Sequence, residues 1–198
     1  MLEGADFKRL SNMDTALVQC AHCGAKNRIP HDKQGTAKCG RCHQPLTQTS
    51  QTILTLRCSQ CHTKNRVPVS KLNEEAKCGR CHAPLDIKDV NTGRTILVSD
   101  ANFNQSVLQS PLPVLLYAWA PWCSVCGSTT PMVEQLAPET KGKIRVAKLN
   151  VDANPNLANR YNIMSVPAFF IFDAGQLKHH IPGAIPKHEL MLKMAAYI

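Results

Sequence analysis

Every one of the ten cysteines in this 198-residue chain belongs to a C-x-x-C pair. The pairs are Cys20/Cys23, Cys39/Cys42, Cys58/Cys61, Cys78/Cys81 and Cys123/Cys126. The first four lie in a tandem repeat. CAHCGAKNRIP returns as CSQCHTKNRVP, and AKCGRCHQPL returns as AKCGRCHAPL. The offset is 38 residues at the first segment and 39 at the second, so the intervening loop carries a one-residue insertion. A repeat this close means two units of one design. Each unit is small and has almost no aromatic residues, so it cannot bury enough apolar surface to fold unaided and needs a staple.

The spacing names the staple. Cys20, Cys23, Cys39 and Cys42 read C-x2-C-x15-C-x2-C; Cys58, Cys61, Cys78 and Cys81 read C-x2-C-x16-C-x2-C. Two thiolates on one tight turn bite one face of a tetrahedral zinc ion, and a second turn brought across a hairpin supplies the other two. Two structural zinc ions are therefore expected. Gly40 and Gly79, each following a cysteine, are expected to meet the tight-turn requirement. His22, His43, His62 and His82 sit beside these turns, but four cysteines already complete each shell. Four protein ligands leave no open position for catalysis by the metal.

Charge has to be read with the metal in place. The chain carries 23 Lys and Arg against 14 Asp and Glu, a formal +9. Each four-thiolate zinc site carries −2, which brings the chain to about +5. Lys26, Arg28, Lys38, Arg41, Lys64, Arg66, Lys77 and Arg80 gather around the cysteine turns. The aromatic residues that stack on single-stranded nucleic acid are missing there, so these cations are assigned to balancing the thiolates. Nucleic acid is not expected as a partner. The longest apolar run, Val114 to Ala120, falls well short of the ~18 residues of a membrane span, so no membrane is expected either. MLEGADFKRLSN at the start lacks the apolar stretch of a secretory signal. The expected compartment is the reducing cytoplasm, where thiols serve metal or redox chemistry.

The texture changes near Thr92. TILVS (95–99) reads as a strand, followed by a helix over 100–109 entered through Asp100 as N-cap. PVLLYAWA (113–120) has the continuous apolar pattern of a buried strand. A helix follows over 123–138, with Pro131 as a predicted kink. IRVAKLNVD (144–152) alternates as a strand, and 154–161 forms a short helix. PAFFIFD (167–173) and QLKHHIP (176–182) make a hairpin about Ala174-Gly175. An amphipathic helix over 187–198 closes the chain. This order means an α/β layer sandwich with a mixed sheet. The expected domains are residues 1–14 as a leader or expression scar, 15–50 and 51–91 as zinc modules, and 92–198 as the α/β domain.

The fifth cysteine pair stands apart. Cys123 lies where an apolar strand meets a helix. A sulfur there sits at the positive end of the helix dipole beside unpaired N–H groups, which favours the nucleophilic thiolate. Cys126 lies one turn on, placed to attack a mixed disulfide. No cysteine pair is left to complete a further zinc site.

These residues carry a resemblance. Residues 92–198 resemble thioredoxin throughout, in WAPWCSVC, Pro131, VAKLNVDANP, SVPAFFIFDAG and PGA. CAHCGAKNRIP and AKCGRC extend the likeness to the bacterial zinc-containing thioredoxins of the thioredoxin 2 type, with the zinc module doubled. The resemblance implies a thioredoxin fold, Cys123 as attacking thiol and Cys126 as resolving thiol. It implies a substrate surface built from Trp122, Val166, Pro167 and Gly183, with Val166-Pro167 as a cis-proline segment. It also implies partners: substrate proteins with disulfides, and a flavin- and NADPH-dependent thioredoxin reductase. Ser124-Val125 stands where the family usually carries Gly-Pro. Tyr117 takes the place of a buried aspartate, leaving Lys148, the aspartate's usual neighbour, without its partner.

The expected function is that of a cytosolic, monomeric thiol–disulfide oxidoreductase, a protein-disulfide reductase binding no organic cofactor. The rival expectation is a protein- or nucleic-acid-binding pair of zinc ribbons with a weakly active or redox-sensing domain attached.

Overall fold

The structure, a computed structural model, describes residues 15–20, 22–30, 37–46, 53–72 and 74–197. The expected leader, 1–14, lies outside the described residues. Contacts divide the chain into two compact units, Met1–Gln51 and Thr52–Ile198.

Each repeat begins with a two-stranded antiparallel ribbon. In the first, β1 (Thr15–Gln19) pairs with β2 (Lys26–Pro30). In the second, β3 (Ile53–Arg57) pairs with β4 (Lys64–Pro68). The returning arm is shorter, a single bridge in each case: Lys38 opposite Pro45, and Lys77 opposite Pro84. A core of four buried residues, Cys20, Ile29, Cys39 and Leu46, serves the first ribbon. Half of that core is cysteine, which is too little apolar burial to hold the ribbon without a staple.

The five-stranded sheet belongs to the second unit. Its order is β5 (Ile96–Val98), β7 (Arg145–Asn150), β6 (Val114–Trp119), β8 (Ala168–Asp173), β9 (Gln176–Pro182). β5, β7 and β6 run parallel; β8 and β9 are antiparallel. Strand alternation sends apolar side chains to both faces. Leu115, Tyr117, Val146, Phe169 and Ile171 bury against α1 (Ser124–Glu139) and α3 (Lys187–Met194). Val114, Leu116, Leu149, Phe170 and Phe172 bury on the opposite face with Phe103 and Leu157. Burial on both sides explains why β6 reads as an unbroken apolar run.

One local expectation, the helix over 100–109 entered through Asp100, is corrected. Asp100 does not cap the helix that follows it. That segment is a short π-helical turn, Asn104–Leu108, capped by the backbone of Phe103. Asp100 instead accepts the N–H of Leu157 at 3.0 Å, at the start of α2 (Pro155–Arg160). It is a cap delivered from 57 residues away. α1 also carries both Pro131 and Pro138 within its length. At the β8–β9 hairpin both turn residues have positive φ, Ala174 at 52° and Gly175 at 76°. Gly175 is required there, because a Cβ would lie 2.9 Å from the Leu108 carbonyl oxygen.

Candidate functional site

β6 ends beneath the start of α1, and Cys123 occupies that junction as the N-cap residue itself. Its backbone is extended, and its Sγ accepts the N–H of Cys126 at 3.1 Å. Helix N-caps leave donors that need an acceptor, a place commonly taken by a Ser or Asp oxygen. A sulfur fills it here, so the first turn of α1 stabilises negative charge on Cys123. Cys126 lies within the first turn, 2% exposed, and the two sulfurs are joined in a disulfide.

The expected substrate-facing residues gather around this pair. Val166-Pro167 is a cis peptide bond, and the Val166 carbonyl oxygen lies 3.5 Å from Cys123 Sγ. Gly183 has a φ of 80° and donates its N–H to the Pro167 carbonyl at 2.9 Å, bracing the loop. Trp122 is 70% exposed, and its indole N–H donates to Asp152 at 3.2 Å. Asp152 was not singled out from the sequence. Asn150, two residues earlier, pairs with Trp119 where the parallel strands end together, a register that only the folded sheet sets. Val125 and Met164 are further exposed apolar side chains in the segments flanking the site, at 48% and 84%.

Beneath the dithiol, the expectation for Tyr117 and Lys148 is refined. Tyr117 is fully buried, stacked on Phe169, and donates to the Cys126 carbonyl oxygen at 3.1 Å. Burial pushes its pKa up from the ordinary 10.0, so it remains a neutral donor. Lys148 is not left without a partner. Its Nζ donates to Glu134 of α1 at 2.7 Å.

The other eight cysteines form two separate clusters. In each, the four sulfurs lie within 4.8 Å of one another. The closest pairs are Cys20–Cys42 at 3.5 Å, with Cys23–Cys39, Cys58–Cys81 and Cys61–Cys78 at 3.6 Å. Zn–S bonds of about 2.3 Å in a tetrahedron require sulfurs about 3.8 Å apart, so both clusters fit a zinc ion. Burial and the neighbouring sulfurs push Cys42 and Cys81 up to about 12, whereas N–H donors favour the thiolate at another sulfur of each cluster. The N–H groups of Cys42 and Arg41 hold Cys39 down to about 6, and those of Cys81 and Arg80 do the same for Cys78.

The turn requirement falls elsewhere than expected. Positive φ occurs at Gly24 (70°), His43 (58°), His62 (56°) and His82 (59°), the residue after the second cysteine of every turn. Each donates its N–H to the carbonyl of the first cysteine at 2.9–3.0 Å. Gly40 and Gly79 lack positive φ, and a Cβ there would stay 3.6 Å or more from its nearest neighbour. Their N–H groups instead donate to Asn27 and Asn65 at 2.9 Å. His43, His62 and His82 are exposed and stand outside both sulfur clusters.

A reactive disulfide at the head of a helix, beneath a cis-proline loop and on a mixed sheet, defines a thiol–disulfide oxidoreductase of the thioredoxin-fold class. Comparison with known proteins agrees. The family described as Thioredoxin matches residues 94–196. The family described as Thioredoxin 2, N-terminal, matches twice, at 19–44 and 57–83. A thioredoxin of Synechocystis is 45% identical over 101 residues, covering 51% of this chain and 94% of the relative. Thioredoxin 1 of Nostoc is 45% identical over 93 residues, covering 47% and 87%. A thioredoxin of Pyropia yezoensis is 43% identical over 101 residues, covering 51% and 94%. The chain belongs to the thioredoxin family, and it carries the zinc-ribbon segment of thioredoxin 2 in duplicate.

Proposed function

We propose that this protein reduces disulfides of other proteins in the cytosol, with Cys123 as nucleophile and Cys126 as resolving thiol. The observation that carries the assignment is the position of Cys123 Sγ. It caps α1, accepting an N–H at 3.1 Å, and lies 3.5 Å from the Val166 carbonyl. In the reduced protein the Cys123 thiolate attacks one sulfur of a substrate disulfide. That S–S bond breaks, a substrate thiolate leaves, and Cys123 is held in a mixed disulfide. Cys126 then loses its proton and attacks Cys123 Sγ. The second substrate thiolate departs, and the Cys123–Cys126 bond forms. Two electrons have passed to the substrate, whose sulfurs take up two protons.

An NADPH-dependent flavoprotein reductase returns the two electrons to the pair, as in other thioredoxins. Trp122, Val166, Pro167 and Gly183 would hold the substrate as an extended segment. Among the described residues the Val166 carbonyl has no backbone partner, which leaves it open to such a segment. Two zinc ions, one in each four-cysteine cluster, would serve as structural staples. Eight thiolates kept for metal suit a reducing compartment, which supports the cytosolic assignment.

Insulin reduction driven by NADPH and a thioredoxin reductase tests the reading. The wild-type protein turns over, and Cys123→Ser loses turnover entirely. Sustained turnover by Cys123→Ser would overturn the assignment.

A further inference from the structure

The two zinc modules are nearly alike in sequence, yet they are not alike in what they touch. The boundary between compact units falls at Gln51/Thr52, so the second module belongs to the same unit as the five-stranded sheet. Five observations fasten it there. The buried core of the module includes Leu112, from the segment leading into β6. Gly142, between α1 and β7, has a φ of 74°, and a Cβ on it would lie 2.6 Å from Leu54 of β3. Arg145, 8% exposed, donates to the Lys88 carbonyl at 3.0 Å. Arg57, at the end of β3, donates its backbone N–H to the Pro111 carbonyl at 2.7 Å. The guanidinium of Arg57 also makes two parallel bonds of 2.7 Å to Asp173. Bidentate pairs of this kind set geometry as well as energy.

Arg57 is bonded directly to Cys58, a candidate zinc ligand. Its partner, Asp173, is the last residue of β8, whose first residue, Ala168, follows the cis Pro167 beside the dithiol. The contact therefore lies at the far end of the strand from Cys123, five residues or roughly 17 Å away. Fastened there, the second module holds the end of the strand that begins beside the dithiol.

The first module carries other residues at two of these places. The 38-residue offset puts Gln19 at the place of Arg57 and Ala16 at the place of Leu54. The Gln19 amide donates to Gly24 in its own ribbon, at 3.1 Å.

We propose that the two metal sites have different roles. The site at Cys58, Cys61, Cys78 and Cys81 is a stability control for the dithiol domain, transmitted by Arg57 to Asp173 and β8. The site at Cys20, Cys23, Cys39 and Cys42 holds its own ribbon. Metal fixes the end of β3; β3 fixes Arg57; Arg57 closes the end of β8. Loss of that metal releases Asp173 as a carboxylate without its partner, and the β8–β9 edge opens more often.

The test uses the full-length chain and reads zinc per chain, thermal unfolding and amide hydrogen exchange, all independent of disulfide reduction. Cys39→Ser is expected to lose one zinc and leave exchange in β8 unchanged. Cys78→Ser is expected to lose one zinc and raise exchange at Phe172 and Asp173 by at least tenfold. Arg57→Gln, which installs the first module's residue, is expected to keep both zincs, lower Tm by about 3–8 °C and reproduce the faster exchange in β8. Equal effects of Cys39→Ser and Cys78→Ser on β8 would overturn the proposal. So would unchanged β8 exchange in Arg57→Gln, a result that stands even if Cys78→Ser does not fold.

Discussion

The Tyr117 phenol donates a 3.1 Å hydrogen bond to the carbonyl oxygen of Cys126. The same carbonyl accepts a second bond, of 2.8 Å, from the Thr130 hydroxyl. The backbone under the resolving thiol is thus held from two sides, by neutral donors. Tyr117 organises this floor and does not take up protons, because burial raises its pKa.

Tyr117→Phe follows from that geometry. Thr130 still satisfies the carbonyl, so the loss is one neutral hydrogen bond, about 1 kcal/mol of stability by urea unfolding. Insulin reduction should stay within about twofold of wild type, since only the supporting bond is removed. A large loss of turnover at unchanged stability would instead make the phenol a proton acceptor for Cys126.

Alkaline stability follows from the same residue and from Tyr161, whose pKa burial also raises above 10.0. A phenol with a raised folded pKa contributes stability that is intact below about pH 10. It is lost as pH climbs towards the folded value, because the unfolded chain ionises first. Stability should be level in this contribution below pH 10 and fall above it. Tyr117→Phe should flatten that fall, read as urea midpoints across pH 9 to 11.

Cys126→Ser should trap substrates. Cys123 retains its place as N-cap and still attacks, but no thiol remains to release it. Covalent adducts on non-reducing gels, lost on adding dithiothreitol, are the expected result. Their absence in the presence of insulin would count against the two-thiol mechanism.

His82→Gly separates two roles for the turn histidines. His82 has a φ of 59°, which a glycine adopts freely. The change should retain both zincs and leave stability equal or up to about 1 kcal/mol higher. His82→Val should lose about 1–2 kcal/mol, because a branched Cβ is strained in that region. Loss of zinc in His82→Gly would reveal a ligand. Zinc content by mass spectrometry and chelator-induced unfolding read both outcomes.

The parts of the site that were legible in the sequence are those with local spacing. The C-x-x-C turns, the apolar run of β6 and the Asp173–Gln176 hairpin each declare themselves within a few residues. The misreadings have one cause. Asp100 looked like a cap for the next helix and caps α2 instead. Gly40 and Gly79 looked like the turn glycines, while the left-handed residue is His43 or His82. Lys148 looked unpaired and meets Glu134. In each case the residue type was right for its chemistry, but its partner or exact place was set by folding.

The ten paired cysteines by themselves marked out two four-cysteine clusters and one dithiol at a helix start, because ligand and helix geometry repeat over three residues. Only the tertiary structure decided which module is fused to the catalytic domain. That choice rests on Arg57 meeting Asp173 across 116 residues of sequence. No periodicity encodes such a pair; it exists only once folding brings the end of β3 to the end of β8.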